Sequence, residues 1–335
     1  MKKNMPESDK ILQLEHLSSH YIRRKSGFLG GNERKDILKD VSFSIRRGET
    51  FGLVGESGCG KSTLARAIVG LIPSAGRITI DGENVLQKRT KEQHKKVQIV
   101  FQDPLSSLNP TKKIGWILEE PLRIHRIGDR ASRLRRVNEV LELIGLDTAF
   151  RDRYPSELSG GQRQRVSIGE ALMLRPKLIV ADEPVSALDV SVQSQILNLM
   201  GDLRSRLGLS YLFISHNLNV VYYLCDRTAV MYMGQIVELA DVQTLFDLPA
   251  HPYTQMLLSA IPEIGSEPEE AQEDDILSKA LDREPSKTGC AFFARCPNAC
   301  EECKETSPEL VNIGDESGKQ HFVRCHCLAH PTGSQ

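Results

Sequence analysis

Apolar residues along the chain fall into short runs whose period changes from segment to segment. ILQLEHL (11–17) and VSFSI (41–45) alternate apolar and polar side chains, the period of a strand with one buried face. The polar, glycine-containing stretch 23–36 between them reads as a loop. TFGLV (50–54) is a short buried strand that passes into a glycine-rich turn and then an apolar helix from Lys61 to Leu71. RITI (77–80) and VQIVF (97–101) read as further strands, and residues 111–145 and 160–175 have helical spacing. KLIVAD (177–182) is uninterrupted and β-branched, as a strand buried on both faces should be. A helix over 190–207, the strand SYLFI (210–214) and a helix over 217–225 continue the alternation, and TAVMYM and QIVELA close it. This order predicts an α/β fold with a mostly parallel core sheet, helices on its faces and an inserted helical subdomain over about 103–175.

Composition changes that picture at the C-terminus. Residues 263–288 are rich in Glu, Asp, Pro and Ser and read as a flexible acidic linker. Of the eight cysteines, only Cys59 and Cys225 precede residue 290, so a reduced domain carries a Cys-rich tail rather than a secreted disulfide scaffold. The 335 residues allow one large domain with an appendage or two modest domains. No apolar run approaches the roughly 18 residues of a membrane span, and MKKNMPESDK leads into no signal-like apolar segment, so a membrane role would come through a partner. A net charge of −1 lacks the basic footprint of a nucleic-acid binder. The local run Arg123, Arg126, Arg130, Arg133, Arg135 and Arg136 reads as a solvated helix face.

Residues 55–63, GESGCGKST, match a phosphate loop between strand and helix. Gly55, Glu56, Ser57, Gly58, Cys59 and Gly60 would form a nest of backbone N–H groups at a helix N-terminus. Lys61 would reach the β- and γ-phosphates of a nucleotide, and Ser62, followed by Thr63, would ligate Mg²⁺. Cys59 contributes its backbone N–H and its side chain need do nothing, though a helix N-terminus can lower a thiol pKa, in which case alkylation would block ATP binding. Asp182 ends a buried strand, as a second metal contact should, and Glu183 follows, placed to orient or deprotonate water.

LSGGQRQR (158–165), with the phosphate loop, Asp182-Glu183 and His216, resembles the nucleotide-binding subunits of ATP-binding-cassette (ABC) transporters. The resemblance spans roughly residues 11–330 and implies a P-loop ABC cassette with an added antiparallel β part. It implies that Ser159, Gly160, Gly161 and Gln162 close over ATP held by a second subunit, and that Gln102 is the Q-loop glutamine. Asp189 becomes the D-loop aspartate, His216 the switch histidine, and Tyr21 the aromatic that stacks on adenine. VFQDPLSSLNP, DEPVSALDVSVQSQILNLM and HPYTQMLLSAIP (251–262) resemble the oligopeptide, dipeptide and nickel importers, the PVSALDVS wording being closer to their F-type than their D-type ATPase. Such systems imply a second, non-identical ATPase, two membrane permeases and an extracellular solute-binding protein, with this chain at the cytoplasmic face of the membrane. Asn217 stands where Asp often follows the switch histidine, and the helix after the signature reads IGEAL where Ala-Arg-Ala-Leu is common in the family, so that Asn217 puts the setting of His216, and Glu170 local partner contacts, in question.

The division expected is a cassette over 11–250 and an extension over 251–335, with the linker at 263–288 and a Cys-rich module at 289–330. Six cysteines in so short a module suggest a metal that supplies folding energy. The spacing resembles an importer pattern with a [4Fe–4S] cluster, implying Cys290, Cys296, Cys303 and Cys325 as ligands and Cys300 and Cys327 as spare. Zn²⁺ suits four thiolates equally, and a module that binds no metal is the third reading. Such a tail is more usual in D-type subunits. ABC ATPases of DNA repair or translation are the competing class, but neither the long coiled coil of the one nor the second cassette of the other is present. A non-hydrolysing cassette would not need Lys61, Asp182, Glu183 and His216 together.

Overall fold

A computed structural model describes residues 9–24, 32–85, 89–260, 286, 288–314 and 320–328. The chain opens with β1 (Lys10–Arg24) and β2 (Asn32–Arg46), paired antiparallel from Lys10↔Arg46 to Arg24↔Asn32. The two ends of the loop expected over 23–36, residues 23–24 and 32–36, are therefore strand, and residues 25–31 lie outside the described residues. The ladder runs this far because strand pairing satisfies backbone groups whatever the side chains.

Next come β3 (Thr50–Val54), α1 (Lys61–Val69), β4 (Ala75–Ile80), β5 (Glu83–Asn84), α2 (Lys91–Lys96) and β6 (Val97–Val100). The helical subdomain holds α3 (Pro104–Ser107), α4 (Ile114–Ile124), α5 (Arg130–Leu143) and α6 (Gly160–Leu172). The chain returns through β7 (Leu178–Asp182), α7 (Val190–Leu207), β8 (Ser210–Ile214), α8 (Leu218–Leu224), β9 (Arg227–Tyr232) and β10 (Gln235–Asp241). It ends with α9 (Val242–Asp247), α10 (Pro252–Ser259), α11 (Glu301–Glu305), β11 (Val311–Asn312) and β12 (Phe322–Val323).

Two sheets result. The smaller is antiparallel, in the order β2-β1-β4-β5; the larger runs β11-β12-β10-β9-β3-β8-β7-β6. Pairing is parallel from β9 to β6 and antiparallel through β10, β12 and β11. The uninterrupted apolar strands are explained by a sheet buried on both faces. Along β7, Leu178 and Val180 join one core while Ile179 and Ala181 join the other; along β8, Leu212 and Ile214 oppose Tyr211 and Phe213 in the same way. One core lies against the small sheet and α1, the other against the helical subdomain and the C-terminal helices. Each fully buried Leu, Ile or Phe contributes about 1.5–3 kcal/mol, so the sheet is a rigid base for the loops at its strand ends.

The C-terminal extension is part of this body. β12 pairs with β10 through Glu238↔Val323 and Leu239↔Phe322, adding two strands to the main sheet. The acidic linker lies almost wholly outside the described residues. The basic run sits on and between α4 and α5, where Arg133 and Arg136 cap carbonyls of Ile127 and Leu172 and lie near Glu119 and Glu139.

Candidate functional site

Parallel strands present their C-terminal ends on one edge, and strand order decides which loops meet there. β3, β8, β7 and β6 are neighbours, so the phosphate loop, His216, Asp182-Glu183 and Gln102 emerge side by side.

Gly55 leaves β3 with φ 150°, and a Cβ there would lie 2.2 Å from the Met231 carbonyl oxygen. Only glycine lets the chain turn this close to β9. Gly60 precedes α1 in a left-handed conformation. Lys61 is buried, and its ammonium donates to the carbonyls of Gly55 (2.7 Å) and Glu56 (3.0 Å), which spans the loop from inside. Ser62 Oγ donates to Asp182 Oδ1 at 3.1 Å, bringing the two expected Mg²⁺ contacts together. Burial pushes the Asp182 carboxyl above its ordinary range, and the Ser62 hydrogen bond opposes this.

Glu183 follows with φ 50°, an unusual conformation for a non-glycine residue and one found at sites where a side chain must be aimed. Gln102 Nε2 donates to Glu183 Oε2 at 3.0 Å, and His216 Nδ1 lies 3.2 Å from the same oxygen. Residues from three strand ends thus meet on one carboxylate. Asn217 caps α8 by accepting from the amides of Asn219 (3.0 Å) and Val220 (3.3 Å). Asn and Asp cap a helix about equally well, so this cap does not depend on which of the two follows His216.

The signature loop begins α6. Ser159 Oγ accepts from the Gln162 amide (3.3 Å) and Gln162 Oε1 accepts from the Ser159 amide (3.0 Å), a capping box. A Cβ on Gly161 would meet Val192 Cγ1 at 2.5 Å, so this glycine permits close approach of α7. Ser159 is exposed, and among the described residues no hydrogen bond joins the signature loop to the phosphate loop of the same chain. Asp189 is exposed at the start of α7, beside Val190, which is 78% exposed. Tyr21, in the outer part of β1, is 43% exposed. Thr63 is half-buried one residue after Ser62, and Ser57 and Gly58 are exposed at the loop's tip.

The Cys59 side chain is buried, and that burial raises its thiol pKa more than the neighbouring Lys61 lowers it. Desolvation thus works against the lowered thiol pKa that a helix N-terminus can give. Glu170 is half-buried on α6, and burial with the nearby Glu120 raises its carboxyl pKa to about 7.

Four groups that local motifs did not flag stand behind the site. The Glu56 amide donates to the Tyr253 hydroxyl at 2.9 Å, and the Glu56 carboxylate takes a two-pronged ion pair from Arg295 at 2.9 and 3.0 Å. Buried Glu238 accepts from the amides of Ala250 and His251 at 2.8 and 2.9 Å and faces His321 Nε2 at 2.6 Å. HPYT gave a hint of one of them: His251 caps α10 by accepting the Tyr253 amide, and Pro252 starts the helix. Arg295, Glu238 and His321 belong to no such pattern.

In the Cys-rich module, Cys296, Cys303 and Cys325 are buried and Cys290 is half-buried, while Cys300 is exposed. The sulfurs of Cys300, Cys303 and Cys327 form the tightest group, within 4.8 Å of one another, with Cys300 and Cys303 3.4 Å apart. The two cysteines expected to be spare thus lie beside Cys303, one of the four expected ligands.

Comparison with known proteins agrees with this geometry. Residues 38–186 match the family described as ABC transporter, and residues 237–303 match the oligopeptide/dipeptide transporter C-terminal region. The chain is 44% identical to the oligopeptide transport ATP-binding protein AppF of Bacillus subtilis, over 94% of this chain and 97% of that one. It is 45% identical to the dipeptide transport ATP-binding protein DppF of Escherichia coli, over 91% and 92%. Among solved structures, the ATP-binding cassette MJ0796, in a dimeric post-hydrolysis state bound to ADP and Pi, superposes with a TM-score of 0.60 at 29% identity, covering 69% of this chain and 98% of that one. The chain belongs to the ATP-binding subunits of ABC transporters, in the branch that carries the oligopeptide/dipeptide transporter C-terminal region.

Proposed function

We propose that this ATPase is one of two cassettes of an importer and couples ATP hydrolysis to uptake of peptides across the cytoplasmic membrane. The observation that carries the catalytic reading is the meeting of Gln102 and His216 on Glu183 Oε2, next to the Ser62–Asp182 pair.

The phosphate-loop amides and Lys61 hold the β- and γ-phosphates; Ser62 and Asp182 would hold Mg²⁺, which would supply charge neutralisation to the phosphoryl group. Glu183 orients the attacking water and accepts its proton. His216 donates to the γ-phosphate, and Gln102 links the water site to the helical subdomain that follows β6. Catalysis of this kind is mainly positioning and charge stabilisation. Tyr21 provides the adenine platform.

Ser159, Gly160, Gly161 and Gln162 serve ATP on a second cassette, with Asp189 at the same interface. Support comes from the exposure of Ser159, Asp189 and the apolar Val190, which a partner would cover. The second cassette is a different chain, with this one as the F-type subunit. Among the described residues no helix is long and apolar enough to cross a membrane, so attachment at the cytoplasmic face runs through two permeases fed by an extracellular solute-binding protein. Peptide is favoured over nickel by the names of the relatives AppF and DppF. Nucleic acid is no partner of a chain with net charge −1.

We also propose a division into a cassette over 11–250 and a docked extension over 251–335. The extension's buried thiols fit a metal, because burial of several soft donors shields it from solvent. Cys290, Cys296, Cys303 and Cys325 would hold a [4Fe–4S] cluster. The competing occupant is one Zn²⁺, favoured by the tight group Cys300, Cys303 and Cys327, since sulfurs around a single ion lie about 4 Å apart. Iron, sulfide and zinc contents of anaerobically purified protein, with Cys296→Ser and Cys327→Ser beside it, decide between them.

The central test is Glu183→Gln. It should keep ATP binding and lower turnover by about 10²-fold or more, in line with loss of a positioned general base. Hydrolysis at the wild-type rate would sink the assignment of Glu183.

A further inference from the structure

Arg295 lies 239 positions from Glu56 in sequence, immediately before Cys296, yet its guanidinium grips the Glu56 carboxylate through both nitrogens at 2.9 and 3.0 Å. Side-chain exposures of 22% and 31% make this a partly desolvated pair, held more firmly than an ordinary surface bridge. The guanidinium also lies over the rings of Tyr232 and Phe292, 5.8 Å from each centroid. Phe292 is 1% exposed and packs on Tyr232, Tyr253 and His251. Tyr253 in turn takes the Glu56 amide proton. Glu56 is therefore fixed twice by the C-terminal extension, once at its backbone and once at its carboxylate.

This residue is the second of the phosphate loop, and its carbonyl is one of the two that hold Lys61. A carboxylate there is a liability, because the loop exists to gather a polyanion. An unpaired Glu56 would repel the phosphates and would be free to draw Lys61 away from them. From these contacts we propose that Arg295 is a positioning residue for ATP. It neutralises and anchors Glu56, so that nucleotide affinity depends on the Cys-rich module being docked. The inference rests on the ATP-binding reading and goes beyond it by giving the module a part in nucleotide affinity.

The test measures Mg·ATP binding by the full-length chain, purified anaerobically, and the KM and kcat for ATP hydrolysis. Arg295→Met keeps the alkyl contact with Tyr232 and Phe292 and removes the charge. It should raise Kd and KM for ATP about five- to tenfold and leave kcat within about twofold, because interactions lost equally from ground and transition states affect binding alone. Adding Glu56→Gln to Arg295→Met should return Kd to within about twofold of wild type, since the unpaired carboxylate is then gone. Raising salt should narrow the gap between wild type and Arg295→Met. A role confined to holding the module in place predicts no rescue by Glu56→Gln, and that result would overturn the proposal. So would an unchanged Kd in Arg295→Met while the wild type binds ATP normally. A wild-type chain that binds no ATP would sink the nucleotide reading and this inference with it.

Discussion

Gly55 and Gly58 sit three residues apart in one loop and answer to different constraints. A Cβ at Gly55 meets backbone, the Met231 carbonyl at 2.2 Å, and backbone in a paired strand does not give way. Gly58 has φ 78° and nothing within 4 Å, so substitution there costs only the left-handed conformation, about 1–2 kcal/mol. Gly55→Ala should therefore lower ATP affinity more than tenfold and lower the unfolding midpoint, while Gly58→Ala loses far less stability. Equal loss in both variants, by calorimetry, would show that conformation rather than contact sets the cost. Asn217 gives a finer case: Asn217→Asp should stay within about 0.5 kcal/mol of wild type, while Asn217→Ala should lose about 1 kcal/mol with the cap. Residues of the phosphate loop and the Asp182-Glu183 pair were legible because their role depends on local context, a strand before and a turn or helix after. Arg295 was not, because nothing within ten residues of it points to a loop 239 positions away.

Elements were legible where one physical constraint set both their start and their end. The helix 190–207 and the strand 210–214 come out as read, the first between Asp189 and the left-handed Gly208, the second as an apolar run buried on both faces. The β1–β2 hairpin extends into the stretch read as loop because its pairing continues to Arg24↔Asn32, and backbone pairing need leave no apolar period in the sequence. β11 and β12, two residues each, are too short for any period to register. Packing among α4, α5 and α6 leads to a prediction that the elements share. Glu170 on α6 is half-buried, within the field of Glu120 on α4, and its pKa is raised to about 7 in the folded chain. A raised carboxyl pKa means that the folded state binds the proton more tightly, so this group's stabilisation is present below about pH 4.5 and lost as pH rises through about 7. His251, whose pKa burial lowers to about 4, acts with the opposite sign: its contribution is present above about 6.5 and lost as pH falls toward about 4. The two slopes oppose each other in the wild type. Glu170→Gln should add about 2 kcal/mol at pH 8, add little at pH 4.5, and leave a stability that rises with pH from about 4 to 6.5. Urea midpoints across that range test this, and a gain independent of pH would assign the effect to packing.

On the scale of the whole molecule, composition marks the C-terminal extension as an acidic stretch followed by a Cys-rich module and carries no sign of how the module docks: its described part adds two strands to the main sheet. The pin is Glu238, on β10. Its carboxylate is fully buried and accepts two backbone amides at the start of α10, while His321 of the strand-forming tail lies against it. A charged residue inside an otherwise apolar strand was visible in QIVELA, but its partners lie 12, 13 and 83 positions away, so the sequence offered the acceptor without its donors. Removing that acceptor strands two amides and an imidazole in a buried site, and loss of one partner of a buried charged network costs about 3–5 kcal/mol. Glu238→Ala should therefore lower stability by that amount. It should also free the Cys-rich module, so that a protease cuts within 288–328 at concentrations that leave wild type intact. Because the module carries Arg295, the same variant should weaken ATP binding even though Glu238 touches no residue of the phosphate loop. Stability and protection both unchanged in Glu238→Ala would mean that β12 and the aromatic cluster around Phe292 hold the extension without the buried carboxylate. Released protection with unchanged ATP affinity would separate docking of the module from control of the loop.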